Sequence, residues 1–158
     1  MKKTTMKKTG GTQKKLQTLT PFLIVDGADE FIEFLGNAFG GELTFEHRDE
    51  NNYIVHATVQ IGTSTVMIAD TMKEMQPMTA MLYLYTDDVD SLFKRGVDAK
   101  ANVEREVKNE FYGDRAGALK DKWGNTWWIA THVEDVNKEE LEKRGKAARK
   151  QQAEAMAH

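Results

Sequence analysis

The feature that most constrains this chain is an internal repeat of one order of elements. After the apolar run LTPFLIV (19–25), apolar residues recur at helical spacing, and three shorter strand-like segments follow. The same order returns from AMLYLY (80–85), about 60 residues later. Few residues are identical, so the repeat lies in the order and spacing of the elements. The 158 residues are therefore predicted to form two similar halves that share one core.

The first half combines one helical segment with four strands. The segment DGADEFIEFLGNAFGG (26–41) has the helical period, with Asp26 as the expected N-cap and Gly40 and Gly41 as the stop. Its strands are predicted at 19–25, 42–48, 53–62 and 64–70. A polar linker that contains methionines, residues 71–79, joins it to the second half.

The second half repeats this pattern. A helix is predicted at 87–100, with Asp87 as its cap. Its strands are predicted at 80–85, 101–107, 115–121 and 125–132. Each half then makes a small, mostly antiparallel sheet with a helix on one face, which places the chain in the α+β class. The two remaining faces are expected to pair around a pseudo-twofold axis and to leave a cup suited to a small ligand.

Composition separates two terminal segments from the body. Residues 1–17 are predicted to be a disordered basic arm, residues 18–136 a domain with repeats at about 18–70 and 80–134, and residues 137–158 a helical tail. Asn137 and Glu140 form a capping-box pattern at the start of this tail. Its apolar face is thin, so the helix is expected to fray after Gly145 or to become ordered only against a partner chain.

Charge and residue usage exclude several classes of function. The body, residues 16–136, holds 10 of the 22 basic residues against 21 of the 25 acidic ones, which argues against a nucleic-acid surface. No apolar run is long enough to span a bilayer, so no membrane partner is expected. The absence of cysteine rules out disulfides and thiolate chemistry. With no apolar signal core near the N-terminus, a cytoplasmic location is expected.

One stretch carries a family pattern: FYGDRAGALKDKWGNTWWIATHVEDV (111–136). Together with the segments 19–42, 56–62 and 83–93, it resembles the vicinal oxygen chelate (glyoxalase/bleomycin resistance/dioxygenase) superfamily, and within it the PhnB-like branch. The resemblance covers about residues 18–136 and implies two βαβββ repeats in a cupped, mixed, mostly antiparallel sheet. One departure is the last hairpin, where the family's Asp-Pro-x-Gly is replaced by Asp121-Lys122-Trp123-Gly124.

The resemblance also implies where a divalent metal is held in catalytic members. His, Gln or Glu side chains occupy the start of the first strand and the middle of the last strand of each half. These positions fall here on Thr20 or Pro21, Ala80 or Met81, Val66, and Trp128. A shift by one residue, to Met67 or Ile129, supplies no better ligand. We therefore expect neither a metal at this site nor another cofactor.

Strand parity selects the candidate ligand-binding residues, because alternate side chains point to opposite faces. In the strand 53–62, Val55, Ala57, Val59 and Ile61 are expected to pack on the helix. In the last strand, parity puts Trp127 and Trp128 on opposite faces. The resemblance places a metal-binding carboxylate at Trp128, which implies that Trp128 faces the cup and Trp127 the core. The full candidate set is Phe22, His56, Thr58, Gln60, Tyr112, Arg115 and Trp128.

Two members of this set have an alternative role. Arg115 either holds an anionic group in the cup or pairs with a loop partner. Tyr112 either caps the mouth of the cup or packs on a neighbouring subunit.

Three hypotheses about function follow. The first is a metal-free protein, expected to be a homodimer, that binds a small molecule in the cup. The second is a metal-dependent glyoxalase- or dioxygenase-like enzyme with a relocated site that uses His56, Glu46 or His132. The third is an interaction module, in which the basic arm and the C-terminal helix bind a macromolecule.

Overall fold

The computed structural model describes residues 16–157. The disorder predicted for residues 1–15 lies outside the described residues. The chain divides into two compact units, one running through Ile32 together with Gly40–Pro77, the other combining Glu33–Phe39 with the chain from Met78 onward. Gln17 was assigned to the disordered arm, but its side-chain amide donates to the Thr63 carbonyl and accepts from the Thr65 N–H.

The first unit contains a four-stranded mixed sheet. Its strands are β1 (Phe22–Val25), β2 (Glu42–Arg48), β3 (Ile54–Ile61) and β4 (Ser64–Asp70). They lie in the order β1-β4-β3-β2, with β1 parallel to β4 and the other pairs antiparallel. Helix α1 (Ala28–Phe39) begins in this unit and ends in the second. The strand, helix and three-strand order predicted for residues 18–70 is confirmed.

One face of this first sheet is buried. Six side chains of β1, β3 and β4 on this face are at most 5% exposed: Leu23, Val25, Ala57, Val59, Val66 and Ile68. The register makes Ala57 the direct partner of Ile68 and Val59 that of Val66, so these residues share a face. The prediction that Ala57 and Val59 are core residues is confirmed, whereas Val55 and Ile61 of the same predicted set are only half-buried.

Asp70, at the end of β4, binds the start of α1. Its buried carboxylate accepts from the N–H of Ala28 (2.8 Å) and from the N–H of Ile54 (2.7 Å). A helix start leaves N–H groups without partners, and here the acceptor comes from a strand end far along the chain. The sequence predicted a local cap, Asp26, and did not reveal Asp70.

The second unit repeats the topology. Its strands are β5 (Met81–Tyr85), β6 (Asn102–Asn109), β7 (Asp114–Lys120) and β8 (Thr126–His132), in the order β5-β8-β7-β6. Helix α2 (Val89–Asp98) follows β5, and helix α3 (Lys138–Met156) follows β8. The N-cap of α2 is Asp88 and not Asp87, because the Asp88 carboxylate accepts from the N–H of Ser91.

Trp127 is at the centre of the core of this unit and is 2% exposed. Its ring lies 4.7 Å from that of Phe39, at the end of α1. On the same side of the sheet, Phe93 of α2 closes over Gly117, where an added Cβ would lie 2.8 Å from the Phe93 ring. The prediction that Trp127 belongs to the core is confirmed.

The last hairpin keeps its shape without the family's proline. The Asp121 carboxylate is 3% exposed and accepts from the backbone N–H groups of Trp123 and Asn125 and from the Trp127 indole. Gly124 takes a left-handed φ of 86°, which favours glycine. Hydrogen bonds to one buried carboxylate thus hold this hairpin, which lacks a proline.

Helix α3 begins as predicted and ends later. The Asn137 side chain accepts from the N–H of Glu140, as the capping-box pattern requires. The expectation of fraying after Gly145 is wrong, since the helix continues to Met156. Gly145 is buried against Phe111, whose ring would lie 3.3 Å from an added Cβ, so this glycine permits a close approach. Within residues 16–157, no helix has the length and apolarity to cross a bilayer.

Candidate functional site

The second sheet has an open face, opposite the face that carries Trp127, with two parallel aromatic rings. Tyr83 on β5 is the direct Cα partner of Trp128 on β8. Their rings are inclined by only 3°, with centroids 6.0 Å apart. The guanidinium carbon of Arg105, on β6, lies 5.4 Å from the centroid of the Trp128 ring. We call Tyr83, Trp128 and Arg105 the Trp128 wall.

The charge of Arg105 is paired within this unit. Its Nη2 lies 2.7 Å from the Glu110 carboxylate, and its Nε donates to the same oxygen. The Glu110 side chain is only 8% exposed. The guanidinium is therefore held in place over the Trp128 ring, where cation and π system attract each other.

A hydrogen-bonded group adjoins this wall, with Asp114 at its centre. The Asp114 side chain is 5% exposed, and its Oδ2 accepts from the hydroxyls of Tyr85 (2.8 Å) and Tyr83 (3.3 Å). Its Oδ1 lies 2.8 Å from Nδ1 of His132. The Tyr112 hydroxyl lies 3.3 Å from that of Tyr83. We call these five residues the Asp114 cluster; Tyr83 belongs to both the cluster and the wall.

The hydrogen bonds of the cluster set its charges. Burial raises the pKa of Asp114, but the hydrogen bonds from His132, Tyr85 and Tyr83 outweigh it and hold the pKa below its ordinary value. The pKa of His132 is raised by its hydrogen bonds to Asp114 and Asp135. At neutral pH the cluster therefore contains an ionised carboxylate. The Tyr83 and Tyr85 hydroxyls stay protonated, because burial raises the pKa of Tyr83 and the hydrogen bond to Asp114 raises the pKa of Tyr85.

The open face of the first sheet carries a second, simpler group. The His56 ring lies 5.7 Å from that of Phe22 and 6.0 Å from that of Phe45. The Thr58 hydroxyl on the same strand lies 2.8 Å from the Thr44 hydroxyl. Gln60 is exposed, and its amide donates to the Gly62 carbonyl.

The predicted site residues thus fall into two groups, one in each unit. Phe22, His56 and Thr58 share the open face of the first sheet, while Tyr112 and Trp128 belong to the second unit. The expectation that all of them line one cup stays a prediction.

Arg115 occupies the other face of the second sheet. It is the direct partner of Thr131, whose hydroxyl accepts from the N–H of Val89 in α2. Its guanidinium binds both oxygens of Asp90 at 2.8 Å. Of the two roles considered for Arg115, the geometry agrees with pairing and places the side chain away from the Trp128 wall.

The residues that the sequence did not single out are Tyr83, Tyr85, Arg105 and Phe45. The repeat contained the signal for Tyr83. Phe22 is the partner of Met67 in the first sheet, as Tyr83 is the partner of Trp128 in the second, so the two pairs are equivalent. The equivalent of Trp128 is therefore Met67 and not Val66, which is 5% exposed on the buried face.

The side chains present do not fit the metal site that the resemblance implies. At the last-strand positions, Met67 and Trp128 provide a thioether and an indole in place of carboxylates. Among residues 16–157, no group of three or more His, Asp and Glu side chains has the arrangement of a metal site. Of the residues named for a relocated site, Glu46 is the Cα partner of the core residue Ala57, and its carboxylate binds Arg48.

Comparison with known proteins places the fold. A family model described as the Glyoxalase/Bleomycin resistance protein/Dioxygenase superfamily matches residues 15–129. The uncharacterized protein Mb0911c of Mycobacterium bovis is 30% identical over 135 residues, which cover 78% of this chain and 89% of that protein. The uncharacterized protein Rv0887c of Mycobacterium tuberculosis is also 30% identical, with 79% of its length covered.

Solved structures share the architecture at lower identity. TioX from Micromonospora sp. ML1 superposes with a TM-score of 0.61 at 20% identity, over 73% of this chain and 99% of that one. A putative 3-demethylubiquinone-9 3-methyltransferase, PhnB protein, from Bacillus cereus has a TM-score of 0.60 at 21% identity, over 73% and 99%. At these identities the similarity establishes only the fold, so the function has to be inferred from the site.

Proposed function

This chain belongs to the Glyoxalase/Bleomycin resistance protein/Dioxygenase superfamily, and we propose that it binds a small planar aromatic molecule on the Trp128 wall without a bound metal. The observation that carries the proposal is the parallel pair of Tyr83 and Trp128, with Arg105 over the indole. Tyr83 is 45% exposed, so part of this aromatic surface remains accessible.

The shape of the wall favours a flat ligand. Aromatic rings pair best in offset stacks or edge-to-face contacts, which add about 0.5–1.5 kcal/mol to the burial of their apolar area. Tyr83 and Trp128 are anchored on neighbouring strands, so little side-chain freedom is lost when a ligand binds. The Asp114 cluster supplies the few polar groups that orient a ligand in a mostly apolar site.

A second candidate function is a metal-dependent enzyme of the glyoxalase or dioxygenase kind with a non-standard site. The observation in its favour is His132, whose ring is oriented by a nearly buried carboxylate, as in many acid–base sites. Metal analysis of protein purified without chelator separates the two. We expect substoichiometric metal, and one equivalent of tightly bound nickel, zinc, manganese or iron would favour the enzyme.

Binding is tested by NMR titration with indole and benzofuran, two flat bicyclic probes of the same shape. Each of the three tryptophans has its own indole N–H signal. We expect the probes to shift the Trp128 signal and to leave that of Trp127, which donates to Asp121 in the core, nearly unchanged. If neither probe moves the Trp128 signal at millimolar concentration, the proposal is wrong.

Two further properties belong to this proposal. We propose that the chain is a homodimer, which light scattering at several concentrations tests directly; a constant monomer mass would contradict it. We also keep the proposal of a cytoplasmic location, for which cell fractionation is the test.

A further inference from the structure

Building on the proposed function, we propose that the ligand carries an N–H or O–H hydrogen-bond donor, which the phenol oxygens of the Asp114 cluster accept. The inference concerns the direction of the hydrogen bonds in the cluster. It excludes anionic aromatic ligands as the preferred class.

The Asp114 carboxylate acts only as a hydrogen-bond acceptor in the cluster. An ionised carboxylate has no proton and acts only as an acceptor. Its Oδ2 lies 2.8 Å from the Tyr85 hydroxyl and 3.3 Å from the Tyr83 hydroxyl. Both phenols must therefore donate their only hydroxyl proton to Asp114.

Tyr112 donates its hydroxyl proton to Tyr83. Its hydroxyl lies 3.3 Å from that of Tyr83, and geometry alone allows either oxygen to be the donor. Because the Tyr83 proton is already directed to Asp114, Tyr112 has to be the donor in this pair. All three phenol protons then point inward: those of Tyr83 and Tyr85 to Asp114, and that of Tyr112 to Tyr83.

The phenol oxygens keep acceptor lone pairs at the surface. A phenol that donates its proton retains lone pairs as acceptors. Tyr85 is 62% exposed and Tyr83 45% exposed. Among the described residues, no hydrogen bond to the Tyr85 oxygen is formed in addition to the one it donates to Asp114. Donation to a carboxylate also polarises a hydroxyl and makes its oxygen a better acceptor.

An anionic ligand group is disfavoured beside these phenol oxygens. Arg105 binds Glu110, and the two ring nitrogens of His132 face the carboxylates of Asp114 and Asp135. At the Tyr83 and Tyr85 oxygens an anion would meet outward-facing lone pairs, which disfavour it. A neutral or cationic ring with a donor fits the surface.

The experiment compares three probes by NMR titration of the full chain: indole, benzofuran and benzofuran-2-carboxylate. Indole and benzofuran have the same shape, but only indole carries an N–H donor. We expect indole to bind about three- to tenfold more tightly than benzofuran, the effect of one net hydrogen bond. We expect the carboxylate to bind more weakly than benzofuran.

The outcomes distinguish this inference from the proposed function. If indole and benzofuran shift the Trp128 signal with equal affinity, the donor inference is wrong and the proposed function stands. If benzofuran-2-carboxylate binds most tightly, the donor inference is again wrong. If no probe shifts the Trp128 signal, the proposed function itself fails.

Two variants test whether the preference for indole over benzofuran depends on the Asp114 cluster. Asp114→Asn gives the central residue a donor of its own, so phenol protons are freed, and the preference for indole over benzofuran should disappear. Tyr85→Phe keeps the ring and removes one acceptor, and should reduce the same preference even if Asp114→Asn fails to fold. Tyr53→Phe in the first unit is the matched control and should leave the preference unchanged. A wild-type preference in Tyr85→Phe and in folded Asp114→Asn would overturn the inference.

Discussion

Tyr83 and Trp128 are direct partners on the parallel strands β5 and β8, and their rings are parallel to within 3°. The equivalent partners in the first unit are Phe22 and Met67. The repeat therefore produced the same backbone position twice, and only the second copy has a ring on both strands. Predictions about ligand binding accordingly concern the second unit.

Two adjacent tryptophans are expected to respond to alanine in opposite ways. Trp127→Ala removes a core side chain that is 2% exposed, and should lower the free energy of unfolding by about 3–5 kcal/mol. Trp128→Ala should cost much less stability but weaken indole binding at least tenfold. Urea denaturation and NMR titration of both variants make the comparison. Equal losses of stability would contradict the assignment of the two rings to opposite faces.

Two arginines provide a second contrast. Arg105→Ala removes the group over the Trp128 ring and should weaken indole binding about three- to tenfold. Arg115→Ala breaks the exposed pair with Asp90 on the other face and should leave binding unchanged. Calorimetric titration of both variants checks this. A loss of binding in Arg115→Ala alone would restore the role in ligand binding that the sequence suggested for it.

The titration of His132 should depend on Asp114. The hydrogen bond to Asp114, followed by that to Asp135, raises the pKa of His132 above its ordinary value of 6.5. A raised pKa means that this contribution to stability is fully present below about pH 6.5 and is lost as the pH rises through the raised pKa. Asp114→Asn should lower the pKa, which NMR of the His132 ring measures. An unchanged titration curve would show that the carboxylate does not stabilise the imidazolium.

The contribution of Asp114 to stability should depend on pH in the opposite direction, at acid pH. Its pKa lies below the ordinary value of 3.8, because three hydrogen bonds outweigh the effect of burial. Its contribution to stability is therefore present above about pH 3.8 and is lost as the pH falls through the lowered pKa. Unfolding free energies at pH 2.5 and pH 5 should differ less in Asp114→Asn than in the wild type. Parallel curves for the two proteins would contradict this.

Gly113 should tolerate no side chain. Its φ is 100°, and an added Cβ would collide with the carbonyl oxygen of Glu134. Gly113→Ala should lower the unfolding free energy by about 2 kcal/mol or more, since backbone strain and the collision act together. Gly27→Ala is the control, with a φ of 88° and open space around the Cβ, and should lose only about 1 kcal/mol. Equal losses would show that the Glu134 carbonyl moves aside easily.

Asp70 should matter for folding through two backbone groups. Asp70→Ala leaves the buried N–H groups of Ala28 and Ile54 without their acceptor and should cost about 1–3 kcal/mol. Asp70→Asn keeps one acceptor oxygen and should cost less. Urea denaturation of both variants tests this order, and a neutral Asp70→Ala would contradict the role assigned to the carboxylate.

Local pattern predicted most of the elements because it reports which face of a segment avoids water. The strand 42–48 and the strand 64–70 were predicted with the bounds that the structure has. Parity separated Trp127 from Trp128, since consecutive strand residues point to opposite faces. The family comparison, in contrast, assigned Val66 in place of Met67, because counting from Gly62 assumed hairpin turns of equal length in the two halves.

The sequence by itself determined the repeat, the α+β class and the superfamily, since apolar periodicity and turn residues are local properties of the chain. Only the tertiary structure decided which residues contact each other. Asp70 accepts from Ala28, Tyr83 stacks on Trp128, and Asp114 accepts from two hydroxyls of β5 and contacts His132 of β8, because strand order brings together residues that are distant in sequence. Periodicity contains no information about which strands become neighbours. The Asp114 cluster, and with it the expected chemistry of the ligand, therefore became visible only in the folded chain.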